Sequence, residues 1–150
     1  QHLLKDRDSA LIRKSDGFKI KRSRRKSVVY KGEIKDLKII TSEVRTAQGA
    51  EAKYLIAECY YRQDDLDKAE EEIMSFTQQQ TSQQYWLAKS LILLSDINVE
   101  RNELFQAKQY LLALQKNYHA QNDIQTIIEN KLQHIAQLEI QQNADTAQIQ

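Results

Sequence analysis

Apolar residues recur at helical spacing through the second two-thirds of the chain. Ala52, Leu55, Ile56, Cys59 and Tyr60 stand at i, i+3, i+4, i+7 and i+8, which is one face of a helix. After the acidic corner at Asp64 and Asp65, Leu66, Ala69, Ile73 and Phe76 form the stripe of a second helix. Leu87, Leu91 and Leu94 mark a third, and Trp86, Ile92, Ile97 and Val99 widen its stripe. A helix apolar on that many sides needs neighbours on two of them. Leu104, Ala107, Leu111, Leu114 and Tyr118 predict a fourth helix. Ile124, Ile127, Ile128, Leu132 and Ile135 predict a fifth, with Asp123 as its N-cap. The Gln-rich tail 141–150 has little to bury and is expected to fray.

The polar stretches between the stripes supply the helix ends. Thr81 and Gln84 have the spacing of a capping box ahead of Trp86. Toward the front, Ile34, Leu37, Ile40 and Val44 predict a helix ending near Gly49, packed on the first pair. Leu3, Leu4, Leu11 and Ile12 predict another, ending near Gly17, while 19–32 carries no helical stripe. Proline is absent and there are three glycines in 150 residues, too few for the tight turns of a β-rich fold. The fold class is therefore all-α.

The pattern repeats. A shift of 38 residues lays IAECYYRQDDLDKAEEEIMSF, from Ile56, on LSDINVERNELFQAKQYLLAL, from Leu94. Ala57 falls on Ser95, Glu58 on Asp96, Asp64 on Asn102, Leu66 on Leu104, Ala69 on Ala107 and Phe76 on Leu114. Turn residues, small residues and apolar residues coincide together, so the chain contains two copies of one helix pair. The expected organisation is an irregular basic arm over 1–33 and a helical repeat domain over 34–140. That domain holds units at about 50–78 and 83–118 and a capping helix at about 123–140.

Charge separates the arm from the body. Residues 1–49 hold 14 of the 22 Lys/Arg and 6 of the 21 Asp/Glu, a balance of +8 against −7 for the remainder. The densest basic run is Lys19, Lys21, Arg22, Arg24, Arg25 and Lys26. Such a run can hold phosphate backbones or an anionic membrane surface without reading sequence. Phe18 and Tyr30 alone flank it, which is no base-stacking platform. The start at Gln1 rather than Met reads as a cut or processed end, which leaves a signal peptide or lipid anchor upstream open.

Catalytic and metal chemistry find no constellation. Six carboxylates crowd 64–72 (Asp64, Asp65, Asp67, Glu70, Glu71 and Glu72), yet a calcium loop would need a glycine where the chain has Ala69 and Glu70. Read structurally, Asp64 turns the chain left-handed, as Asn102 does in the second copy. Asp65 caps the next helix, and Asp67 and Glu70 suit its positive end. His2, His119 and His134 form no HExxH pattern. Cys59 is the single cysteine and lies on the core stripe, so it offers no internal disulfide and reads as a structural thiol. No phosphate loop or nucleophile elbow is present. The expectation is a non-enzyme without cofactor or metal.

The helix pairs resemble tetratricopeptide (TPR) repeats. Ala57 and Ser95 stand at the family's small first-helix position, Tyr60 at the aromatic three residues later, and Ala69 and Ala107 at the second-helix alanine. Asn98 replaces the aromatic in the second unit, the period is 38 rather than 34, and neither unit ends in proline. With these longer linkers the chain is similar to bacterial cell-envelope TPR proteins, a resemblance that points to the periplasm or cell envelope. It implies antiparallel helix pairs stacked as an α-solenoid whose first helices line a concave binding face. On the family pattern that face comprises Tyr54, Glu58, Tyr61 and Arg62 in the first unit. In the second it comprises Ile92, Asp96, Val99 and Glu100. Two functions stay open. One is a protein- or peptide-binding scaffold, with Glu58 and Asp96 orienting a basic or amide-bearing ligand. The other is an adaptor for nucleic acid or an anionic membrane surface through 19–26. Equally open is that Tyr54, Ile92 and Val99 only pack against helices missing from this stretch of chain.

Overall fold

A computed structural model describes residues 32–38 and 44–149 of the chain. The expected helix near Leu3–Ile12, the basic run 19–26, Ile40 and most of the arm lie outside the described residues. Among the described residues the secondary structure is helical, with no strand. A short helix α1 covers 32–38. The others are α2 (Ala47–Arg62), α3 (Leu66–Gln78), α4 (Gln84–Glu100), α5 (Leu104–Asn117) and α6 (Ile124–Ile149).

The stripes meet one another. Ala57, Ala69, Ile73, Leu93, Leu94 and Ile97 form one buried cluster joining α2, α3 and α4. Ala88, Ile92, Leu104, Ala107, Leu111, Leu114, Ile124, Ile128 and Ile135 form another joining α4, α5 and α6. Ile34 and Leu37 of α1 pack on Ala52, Ile56 and Cys59 of α2. Burying each such large aliphatic side chain contributes about 1.5–3 kcal/mol. The small residues lie at the helix contacts: Ala69 and Ala107 are fully buried, and Ser95 Oγ donates to the Ala107 carbonyl at 3.0 Å. Besides its sequence partner, each first helix packs on the next, α2 on α4 and α4 on α6. That is why α4 is apolar on two sides.

Both helix pairs turn through the same backbone. Asp64 has φ 66° and Asn102 φ 61°, the left-handed region in which Asp and Asn are the favoured residues after glycine. Asp65 N–H donates to the Tyr60 carbonyl and Glu103 N–H to the Asn98 carbonyl, positions 38 residues apart. Asp65 Oδ1 then accepts from Lys68 N–H and caps α3.

Other helix ends depart from expectation. The chain does not run as one helix from Ile34 toward Gly49: Thr46 ends a turn and caps α2, its Oγ1 accepting from Gly49 N–H at 3.0 Å. Gly49 therefore lies in the first turn of α2 rather than past a helix end. Thr81 accepts from Gln83 N–H and donates to the Val44 carbonyl, so it ties two segments together instead of closing a capping box. Asn122, not Asp123, bonds the first amide of α6, because the Asp123 carboxylate faces Tyr85. Finally, α6 continues past residue 140 to Ile149 with the side chains of 141–149 all exposed. Good helix formers and no breaker let that end propagate without burial.

Candidate functional site

The face shared by α2, α4 and α6 carries most of the side chains singled out above. Tyr61, Asp96, Val99 and Glu100 line one cleft of about 230 Å³ together with Lys131, His134 and Ile135 of α6. Tyr61 Oη donates to Glu100 Oε1 at 3.4 Å across the first and second units. Helical spacing places Asp96 and Glu100 one turn apart on α4, so both carboxylates reach the same opening.

Beside the cleft, Arg62 Nε donates to Glu58 Oε1 at 3.2 Å within α2. Tyr54 is half-buried, its ring 5.7 Å from that of Trp86 and beneath the Lys89 ammonium at 5.5 Å. Burial first, and then the Glu58 carboxylate, push the Tyr54 hydroxyl well above its ordinary value. Tyr54 is therefore a neutral ring beside Glu58.

Ile92 does not belong to this surface. It is 4% exposed and lies in the cluster of α4, α5 and α6. Its neighbours in that cluster include Leu104, Ala107 and Leu111 of α5 and Ile124 and Ile128 of α6.

Lys131 and His134 were not foreseen. Lys131 Nζ donates to both oxygens of Asp96, at 2.7 and 2.9 Å, tying α6 to α4. Lys131 shares a helical face with Ile128 and Ile135, and nothing local names its partner 35 residues away. Asp96 nonetheless has its carboxyl pushed up, because burial outweighs the opposing Lys131 ammonium, and Glu100 adds to the rise. The folded chain thus holds the Asp96 proton more tightly than the unfolded chain does. This group's contribution to stability is present at low pH and is lost as pH rises through the raised value, so the ionised carboxylate is a net cost to the fold.

The acidic corner is ionic and structural. Arg101 Nη2 meets Asp67 Oδ1 at 2.6 Å, and Arg101 Nη1 meets Glu70 Oε2. Among the described residues no group of three His, Cys, Asp or Glu side chains is placed to hold a metal ion. Nor is any described helix long and apolar enough to cross a membrane. No family model, curated protein or solved structure matches the chain.

Proposed function

We propose that the chain is a non-catalytic protein–protein interaction scaffold. In this reading α2–α3 and α4–α5 are antiparallel TPR-like pairs stacked as an α-solenoid, with α6 as the capping helix. The concave face, formed by α2, α4 and α6, binds a protein or peptide partner. The cleft that gathers Tyr61 from the first unit, Asp96, Val99 and Glu100 from the second, and Lys131 and His134 from α6 is the observation that carries this reading. The doubled left-handed corner and the buried Ala57, Ala69, Ser95 and Ala107 support it. A surface of this kind suits docking: a tyrosine ring supplies rigid contact area, and flanking charges set orientation and register.

A photo-crosslinking amino acid at Val99, inside the cleft, and at Gln115, exposed on α5, tests it in cells that make the protein. Covalent protein adducts should form from position 99 and be lost when Tyr61→Ala is added with helicity unchanged. Adducts from 115 with none from 99 would move the docking surface elsewhere.

A further inference from the structure

We infer that the cleft between α2, α4 and α6 receives an arginine side chain of the bound protein, its guanidinium spanning Asp96 and Glu100. The inference deepens the docking reading above and rests on it.

The cleft already holds a cation of the chain's own. Both Asp96 oxygens face the Lys131 ammonium, at 2.7 and 2.9 Å. An ammonium is a compact point charge that satisfies one carboxylate. A guanidinium presents five donors in a plane and can bridge two carboxylates one helical turn apart. Glu100 is that second carboxylate, exposed and on the same wall.

Charge points the same way. Within the lining of the cleft two carboxylates, Asp96 and Glu100, face the one ammonium of Lys131. Burial of Asp96 is not offset by Lys131, as the rise of its carboxyl shows. A second cation would offset the rest.

Shape completes the argument. The opening of about 230 Å³ suits a single long side chain rather than a folded element. Tyr61 offers a ring against which a guanidinium can stack, and Val99 and Ile135 offer apolar walls for its methylenes. An anionic ligand would meet Asp96 and Glu100 head on.

Amide chemical shifts of the full chain, titrated with N-acetyl-arginine amide, test the assignment. N-acetyl-citrulline amide, which has the same shape without the charge, is the control. Arginine amide should give saturable shifts centred on Tyr61, Asp96, Glu100 and Lys131, and citrulline amide should give none. Glu100→Gln, at an exposed position that spares the fold, should weaken binding by about threefold to tenfold through loss of a charge-assisted bond. Lys131→Gln should tighten it by about threefold, because the internal competitor is gone. The assignment falls if the cleft shows no saturable shift, if citrulline amide matches arginine amide, or if Glu100→Gln leaves binding unchanged. Persisting crosslinks from position 99 in those cases would retain the docking face and remove only arginine as its ligand. Loss of those crosslinks would remove the docking face itself.

Discussion

At the corner after α2 and at the corner after α4, the backbone shares three equivalent bonds, and the first corner adds one from Gln63 N–H to the Tyr60 carbonyl. Asp64 N–H donates to the Tyr61 carbonyl at 3.0 Å, and Asn102 N–H to the Val99 carbonyl at 2.9 Å. The side chains then diverge. Gln63 turns inward, its Nε2 donating to the Cys59 carbonyl of its own helix. Its counterpart Arg101 reaches back to Asp67 and Glu70 of α3. Asn102 Oδ1 meanwhile accepts from Gln142 of α6. The second corner thereby couples its helix pair to α3 on one side and to α6 on the other. Backbone geometry is thus a local property that a repeat copies faithfully. Coupling between units is added by side chains that the repeat does not copy.

The severest way to break the equivalence of the two pairs is at their contacts. Ala69 and Ala107 are both fully buried where paired helices meet. Ala107→Leu should destabilise by roughly 2–3 kcal/mol, since added methylenes in a close contact force backbone shifts. Ala69→Leu should cost a similar amount. Denaturant unfolding followed by circular dichroism checks both. A cost under about 0.5 kcal/mol at one site alone would show that the two contacts are not the same in kind.

Most of this was open to reading from the residues. The helical stripes follow from intrahelical spacing, and Asp64 and Asn102 announce the left-handed corner because few other side chains tolerate it. Two things were hidden for one physical reason. The Lys131–Asp96 pair and the reach of Arg101 both depend on how one helix lies on another. Crossing geometry is decided by the sum of side-chain shapes at a contact, and no spacing rule within one helix encodes it. The start of α2 was misplaced differently: Thr46 is a good cap, but an apolar stripe that ran on to Val44 masked it.

Removing the coupling alone gives a milder effect. Arg101→Ala should cost about 1–1.5 kcal/mol, because two partly exposed ionic contacts are lost at once. Gln63→Ala at the equivalent position should cost a few tenths, the value of one solvent-accessible bond to a backbone carbonyl. Solvent screening predicts that the Arg101 loss shrinks in concentrated salt while the Gln63 loss does not. Urea titrations of both variants at low and high salt measure this, and an Arg101 effect indifferent to salt would assign its role to packing of the side-chain stem.

A smaller effect than the loss of Arg101 separates backbone from side chain within the second corner itself. At φ near +60° an alanine carries the steric penalty of its Cβ and a glycine does not. Asn102→Gly should therefore exceed Asn102→Ala in stability by roughly 0.5–1 kcal/mol, and Asp64→Gly should exceed Asp64→Ala by the same margin. Each pair shares the loss of the side chain, so the Gly–Ala difference isolates the backbone, which the two corners have in common. The common loss is read from Asn102→Gly against wild type, where relief of the left-handed strain opposes removal of the Gln142 bond. Equal Gly–Ala margins at residues 64 and 102 would establish one backbone device used twice. A margin present at 64 and absent at 102 would mean that the second corner does not depend on its left-handed dihedral as the first does.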